Sequence, residues 1–170
     1  MKFSLLVVTT DRLYPAECLF RSLAAQTHKD FEVLFVHGED CAADALALAC
    51  KYADRLSIRT VPSPTPALSR ARNAALPLLN GDCVAFPDDD CVYTPDTLER
   101  ACALFLAHPE ADVLLAAGKD LREDEEEARN YFSCGGSAPS NSLGREMIPL
   151  HPRLIFQRVY EGARGKSFPP

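Results

Sequence analysis

The sequence lacks two features that would assign it to a common class of proteins. It has no excess of positive charge, because 24 Asp and Glu residues outnumber 18 Lys and Arg residues, for a formal net charge of -6. A chain without a broad basic face cannot neutralise many phosphates, which argues against nonspecific nucleic-acid binding. It also has no apolar stretch long enough to cross a bilayer. Only a peripheral membrane contact stays open.

Paired metal-binding cysteines are absent as well. The seven cysteines are scattered and odd in number, and none forms a C-x-x-C pair. This pattern is typical of small buried apolar side chains rather than of a zinc site or a disulfide framework. The apolar N-terminal stretch Phe3–Val8 is too short for a signal-peptide core. We therefore expect a reducing, cytoplasmic location, with the inner face of the membrane as an alternative.

What the sequence does contain is the composition of one globular domain. Its 170 residues are 47% hydrophobic and 25% charged, enough for a sizeable core. Short β-rich runs alternate with helical patterns, which predicts an α/β fold with a mainly parallel sheet. The predicted strands are Phe3–Val8, Phe31–Val36, Leu56–Val61, Cys83–Phe86 and Asp112–Ala117. The predicted helices are Pro15–Ala24, Cys41–Ala53, Leu68–Leu79, which is interrupted or frayed at Pro77, and Leu98–Ala107, with Thr94 or Asp96 as its cap.

Three consecutive aspartates, Asp88, Asp89 and Asp90, follow the apolar run Cys83–Phe86 directly. Carboxylates crowded at the exit of a buried strand repel one another and need solvent, a cation or basic side chains to neutralise them. One interpretation is a polar turn in which an aspartate caps a helix. The other is a site for a divalent metal and a diphosphate.

Polar residues also end two other predicted strands. They are Thr9–Asp11 and His37–Asp40. In an open α/β sheet, ligands bind beyond the carboxyl ends of the strands. Between the second and third strand ends, a helix carries Arg70 and Arg72 near its start. Two residues apart on a helix, they do not share a face. One of them can point at the carboxylates, whereas the alternative for either is an ordinary surface arginine.

Five segments together resemble the nucleotide-binding half of family 2 glycosyltransferases with the GT-A fold. Each is weak alone, but they occur in the family's order and spacing, and the Ala-Arg-Asn sequence followed by a D-x-D motif is the most specific part. The segments are Val7–Asp11, Leu23–Thr27, Glu32–Val36, Ser69–Leu76 and Gly81–Asp90. The resemblance implies a Rossmann-like α/β/α sandwich.

It also implies a function and its residues. The chain would move a sugar from a nucleoside-diphosphate sugar to a saccharide or lipid-linked acceptor, with inversion and with Mg²⁺ or Mn²⁺ as cofactor. By position, Asp90 would hold the metal, Asp88 would contact the ribose and Asp89 would lie between them. Arg72 would reach the base or phosphates, and Thr9 would line the base pocket.

Two departures from the family pattern affect these expectations. The second strand of the family usually ends in two acidic residues, one of which binds the base, but His37 and Gly38 stand there. Glu39 or Asp40 could substitute, and Glu39 is our predicted binding residue. His37 itself could bind the base or be an incidental polar strand end. The acceptor half normally follows a segment like Asn141–Glu146, and no counterpart of its general base is identifiable.

These departures leave more than one function open. We predict a GT-A-like domain over residues 1–147 and an irregular tail over 148–170, in which Leu154–Phe156 could form a short strand or helix. The chain would be a truncated transferase or a small variant. The rival hypothesis is a sugar-nucleotide-binding module without transfer activity. A nucleotidyltransferase is disfavoured because Thr9–Leu13 is not a glycine-rich phosphate loop. A homodimer stays open, since the missing acceptor half would leave apolar surface exposed.

Overall fold

A computed structural model describes residues 1–63, 67–117 and 152–159. Within these ranges the chain forms one six-stranded sheet with four α-helices and two short 3₁₀ turns, Glu39–Cys41 and Leu76–Leu78. The strands are β1 (Phe3–Thr9), β2 (Phe31–His37), β3 (Ile58–Pro62), β4 (Cys83–Ala85), β5 (Val113–Ala117) and β6 (Pro152–Arg158), and the helices are α1 (Leu13–Ala24), α2 (Ala42–Lys51), α3 (Leu68–Ala75) and α4 (Thr97–Ala107).

The strand order is β3-β2-β1-β4-β6-β5. The pairs β1–β2, β2–β3 and β1–β4 are parallel, whereas β6 runs antiparallel to both β4 and β5. The predicted mainly parallel α/β sheet is therefore confirmed. Because β1 to β4 point the same way, their carboxyl ends lie along one edge of the sheet, and that edge carries the polar strand ends.

Helices cover both faces of this sheet. Alternate residues of β1 point to opposite sides, so Leu5 packs in a core with α1, α2 and α4, and Leu6 packs in a second core with α3. Both leucines are fully buried. Strands buried on two faces need continuous apolar runs, which explains why β1 and β2 lack the alternation of a half-exposed strand. The result is the predicted three-layer sandwich.

The C-terminal stretch differs from the expectation of an irregular tail. Residues 152–158 form β6, which inserts between β4 and β5 and pairs Ala85 with Phe156 and Leu114 with Phe156. Phe156 is fully buried, so this segment belongs to the domain core. The prediction of an irregular tail is therefore wrong for residues 152–158, while the domain boundary at residue 147 stays a prediction. The segment Asn141–Glu146 lies outside the described residues.

Two helix ends bear on the predictions. Helix α3 stops at Ala75 and continues as a 3₁₀ turn containing Pro77, since proline cannot donate the backbone hydrogen bond that an α-helix needs. The predicted interruption at Pro77 is confirmed. Asp96 stands at the N-cap of α4, but its side chain makes no capping hydrogen bond; instead Asp96 accepts one from the Thr94 hydroxyl at 2.8 Å. The Asp96 side chain is therefore not a cap of α4, and the capping role of Thr94 stays a prediction.

The amino-terminal edge of the sheet holds a buried carboxylate, Glu32. It accepts hydrogen bonds from the Ser4 hydroxyl at 2.7 Å and from the Asn80 backbone and side-chain amides at 2.8 and 3.2 Å. Lys2 and Arg59 lie at 3.8 and 3.7 Å. Burial opposes ionisation, but the hydrogen bonds and Lys2 outweigh it, and the pKa of Glu32 is lowered. We call these five residues the Glu32 cluster.

No helix in the described part of the chain is long and apolar enough to cross a membrane.

Candidate functional site

The three aspartates lie beside the carboxyl end of β1. Strand β4 ends at Ala85, and Asp88 then forms an isolated parallel bridge with Val8. The Cys91 N–H donates to the Asp88 carbonyl at 3.1 Å and closes a turn over residues 88–91. The turn interpretation is correct as local geometry, although no aspartate of this turn caps α4, which begins at Thr97. The turn presents the carboxylates at the site edge.

Asp89 is the buried member of the three, with 8% of its surface exposed. One carboxylate oxygen accepts a hydrogen bond from the Thr9 hydroxyl at 2.8 Å, and the other lies 3.4 Å from the Arg12 guanidinium. Burial is the main cause that raises the pKa of Asp89, and the neighbouring charges of Asp90 and Asp88 add to it, while Thr9 and Arg12 oppose it. Keeping the Asp89 carboxylate ionised therefore costs free energy.

Arg12 joins Asp89 to its exposed neighbour Asp90. Its guanidinium donates to Asp90 at 2.8 Å, and its backbone N–H donates to the Thr9 hydroxyl at 3.2 Å. The hydrogen bond with Asp90 and the charge of Asp89 raise the pKa of Arg12. Sequence reasoning did not single out this residue. The available signal was its position three residues after Thr9, at a polar strand end that meets the aspartates.

Of the two arginines on α3, Arg72 faces the site. Its guanidinium lies 3.4 Å from Asp88 and 5.4 Å from the centre of the Phe86 ring, a cation–π distance. Burial lowers the pKa of Arg72, although Asp88 opposes that effect. Arg70, two residues earlier, is exposed. Ala71 and Ala75 pack α3 against the sheet, and this packing brings Arg72 to the strand ends. We call Thr9, Arg12, Arg72, Asp88, Asp89 and Asp90 the aspartate site.

The donor atoms of the site fit a hard divalent cation. Carboxylate oxygens of Asp88 and Asp90 lie within 4.8 Å of each other and of the Cys91 sulfur, and both aspartates are exposed. Oxygen ligands suit Mg²⁺ or Mn²⁺, which keep waters and take substrate phosphates for their remaining positions. The buried Cys91 thiol is a soft ligand and does not match these ions. Of these groups, the Asp90 carboxylate is the predicted metal ligand.

The predicted binding residue Glu39 is not brought into this group. It starts the 3₁₀ turn after β2 and is exposed, and among the described residues its carboxylate has no hydrogen bond or ion pair. His37, the last residue of β2, pairs in register with Thr9 and is 95% buried, with Nδ1 2.8 Å from the Gly38 carbonyl oxygen. The β2 end therefore places an imidazole, rather than a carboxylate, next to Thr9.

Comparison with protein families agrees with this architecture. The sequence profile of Glycosyl transferase family 2 matches residues 4–160, which includes every strand of the sheet apart from Phe3. The chain belongs to glycosyltransferase family 2. The resemblance inferred from five short segments is confirmed, and the family match extends through β6.

Two curated proteins illustrate the family relationship. Poly(ribitol-phosphate) beta-N-acetylglucosaminyltransferase TarS from Staphylococcus aureus (strain Mu50) is 34% identical over 126 residues, which cover 71% of this chain and 22% of TarS. Protein CgeD from Bacillus subtilis (strain 168) is 28% identical over 141 residues, covering 77% of this chain and 33% of CgeD. The chain thus spans between a fifth and two fifths of the length of its curated relatives.

Solved structures confirm the GT-A fold of this family 2 domain. The crystal structure of S. aureus TarS 1-349 in complex with UDP-GlcNAc has a TM-score of 0.63 and 32% identity, over 73% of this chain and 36% of that one. A mannosyltransferase from Pyrobaculum calidifontis in complex with GDP-Man and Mn²⁺ has a TM-score of 0.61 over 72% of this chain and 36% of that one. At 23% identity, this second likeness concerns the fold alone.

Proposed function

We propose that this domain binds the diphosphate of a nucleoside-diphosphate sugar at the aspartate site, together with Mg²⁺ or Mn²⁺, and that the sugar is transferred with inversion to a saccharide or lipid-linked acceptor. The observation that carries this proposal is the convergence of Thr9, three carboxylates and two arginines at the carboxyl edge of the sheet. A site with both signs of charge suits a metal–diphosphate pair.

Each residue has a chemical role in this proposal. Asp90 holds the metal, Asp88 contacts the ribose, and Asp89 orders the loop between Thr9 and Arg12. Arg72 has planar donors that match phosphate oxygens, and Phe86 fixes its orientation. Glu39 stays a predicted base contact, without support from the contacts of its side chain.

The reaction breaks the bond between the anomeric carbon and the diphosphate oxygen, while an acceptor oxygen forms a new bond to the opposite face of that carbon. The acceptor hydroxyl gives its proton to a base, and the leaving diphosphate develops negative charge. A divalent cation, when bound, neutralises that charge as a Lewis acid. Arg72 adds a second positive charge from α3. Because this charge is already in place before the reaction, the protein does not have to reorganise as the leaving group develops its charge.

The donor is proposed to be a UDP-sugar. The support is the relationship with TarS, whose name specifies N-acetylglucosamine transfer and whose structure contains UDP-GlcNAc. GDP serves as the comparison nucleotide, because His37 at the end of β2 changes the polar groups available to the base.

Thermal denaturation with and without ligand tests the site. At a concentration of 100 times Kd, UDP with Mn²⁺ should stabilise the fold by about 2.7 kcal/mol and raise Tm by roughly 5–10 °C. Asp90→Asn and Arg72→Gln should abolish the shift. Asp54→Asn is the matched control, because Asp54 is an exposed carboxylate paired with Arg55 at 3.4 Å, away from the site. If no nucleoside diphosphate shifts Tm, the assignment fails.

A binding module without transfer activity remains the second candidate, and the imidazole and glycine at the end of β2, His37 and Gly38, favour it. The two functions differ in turnover. Slow hydrolysis of UDP-GlcNAc with Mn²⁺, lost in Asp90→Asn, would support an enzyme. Stable UDP-GlcNAc binding without UDP release, even after addition of saccharide and lipid-linked acceptors, would support the module.

A further inference from the structure

Arg12 places a positive charge inside the aspartate site, but the proposed function gives its guanidinium no contact with the ligand. Its guanidinium contacts Asp90 at 2.8 Å and Asp89 at 3.4 Å, so two of the three carboxylates already have a cation. The contact with Asp90 is not a buried structural pair, because the Arg12 and Asp90 side chains are 50% and 43% exposed. Exposed ion pairs contribute little to folding stability, and this one can therefore open at little cost.

The guanidinium and a divalent cation require the same carboxylate. Asp90 is part of the group of ligand atoms that lie within 4.8 Å of one another, and it is also the closest anionic partner of Arg12. Two cations on one carboxylate repel each other, and only one of them can take the short contact with Asp90. Metal binding must therefore displace the guanidinium from Asp90 or accept a weakened affinity.

Displacement leaves the rest of the loop in place. The backbone N–H of Arg12 is bonded to the Thr9 hydroxyl, and that hydroxyl donates to Asp89. Both bonds persist when only the side chain of Arg12 turns away. The guanidinium then needs another anion near the strand ends, and the planar donors of arginine match phosphate oxygens.

We propose that Arg12 makes divalent-cation binding depend on the diphosphate. Its guanidinium pairs with the Asp90 carboxylate in the free protein and turns to the phosphate oxygens when a nucleoside diphosphate binds. This inference rests on the proposed function and adds an order to the binding. The metal alone binds weakly, and the diphosphate strengthens it by removing the competitor. By thermodynamic reciprocity, the metal strengthens diphosphate binding by the same factor.

Titration of Mn²⁺ followed by the electron paramagnetic resonance signal of the free ion tests this directly, with and without saturating UDP. In Arg12→Gln, affinity for Mn²⁺ alone should rise about tenfold, because the competing charge is gone. The increase in Mn²⁺ affinity caused by UDP should shrink by a similar factor. Arg12→Lys, which keeps a positive charge, should stay nearer to the wild-type protein in both measurements.

Arg100→Gln is the matched control for net charge. Arg100 is 42% exposed and pairs with Asp96, which is 49% exposed, at 3.6 Å, so the change removes one exposed arginine and one ion pair outside the site. Unchanged or weaker Mn²⁺ binding in Arg12→Gln would overturn the inference, as would an equal gain in Arg100→Gln. If Asp90→Asn binds Mn²⁺ and UDP as the wild-type protein does, the proposed function itself fails, whatever Arg12 does.

Discussion

The sheet carries a buried carboxylate at each of its two edges, and the two have opposite surroundings. At the amino-terminal edge, Glu32 accepts three hydrogen bonds and has two cations within 4 Å. At the carboxyl edge, Asp89 accepts one hydrogen bond from Thr9 and shares Arg12 with Asp90. The pKa of Glu32 is lowered, whereas burial raises the pKa of Asp89.

Under the proposed function, the difference separates a structural carboxylate from one that lies in the ligand site. The Glu32 cluster satisfies its charge with groups of the protein, so its ionised form is stable without a ligand. The aspartate site gathers three carboxylates around fewer donors, and its ionised form benefits from an added cation. The comparison predicts that changes at the amino-terminal edge lower stability, and that changes at the carboxyl edge lower ligand binding.

Glu32→Gln should have the largest effect on folding. The amide presents N–H donors to Asn80, Lys2 and Arg59, which are donors themselves, and buried donors without acceptors are costly. We expect a loss of about 3 kcal/mol in the free energy of unfolding, measured by urea denaturation, with UDP binding unchanged in the folded fraction. A loss below that of an exposed control such as Glu110→Gln would contradict the structural role.

Comparing the wild-type protein with Glu32→Gln also gives a prediction about how stability depends on pH. A carboxyl whose pKa is lowered by folding contributes stability above its unfolded pKa of about 4.3, and this contribution is lost as the pH falls through the lowered folded value. The stability gap between wild type and Glu32→Gln should therefore be constant above about pH 5 and narrow in more acidic solution. Urea denaturation at a series of pH values measures the gap, and a gap that widens on acidification would show the sign to be wrong.

Gly81→Ala should have the next largest effect, again at the amino-terminal edge. A Cβ at this position would lie 2.7 Å from the Ser4 backbone nitrogen and 2.8 Å from the Phe3 carbonyl carbon. Since backbone atoms cannot rotate away, β1 and β4 must separate, and the hydrogen bond from Gly81 N–H to the Ser4 hydroxyl weakens. We expect a loss of about 2 kcal/mol. Asn80→Ala, which spares this contact, distinguishes steric separation from loss of hydrogen bonds.

Thr9→Val tests the carboxyl edge with an isosteric change. It removes the hydroxyl that donates to Asp89 and accepts from the Arg12 N–H, and it should cost about 1–2 kcal/mol. The free energy of binding UDP with Mn²⁺ should fall by more than the free energy of unfolding, because the loop that carries Arg12 loses its hydrogen bond to the Thr9 hydroxyl. Thr9→Ser keeps the hydroxyl and should behave like the wild-type protein. A stable Thr9→Val variant with full ligand binding would remove Thr9 from the site.

Asp88→Asn should have the smallest effect on stability, below about 1 kcal/mol, because its carboxylate is 54% exposed and pairs only loosely with Arg72 at 3.4 Å. Its effect on UDP affinity should be several times larger than that of the Asp54→Asn control. A large loss of stability without a change in binding would reverse the comparison between the two edges.

Sequence reasoning predicted most of the fold because the strands are locally specified. Apolar runs such as Val33–Val36 within β2 have the composition of strands buried on both faces. Strand β6 was missed as part of the sheet because its position depends on partners far away in the chain, β4 and β5. Local pattern does not encode such pairing.

The aspartate site was predictable in part for the same reason. Asp88, Asp89, Asp90 and Thr9 stand at strand ends, and parallel strands bring such ends together. Arg12 was missed because its role depends on a side-chain direction that sequence spacing does not give. Glu39 lies in the 3₁₀ turn that follows Gly38, and its role as a base contact stays a prediction.

Strand β6 is synthesised after its partners β4 and β5, and this order affects folding during translation. During synthesis β4 and β5 emerge with the strand between them still unmade, and β4 keeps an open hydrogen-bonding edge until residues 152–158 leave the ribosome. Nascent chains fold from the amino terminus, and unpaired strand edges are points of aggregation. A ribosome stalled before codon 152 therefore carries a sheet with a bare edge, and we expect chaperones to be recruited at that stage of translation.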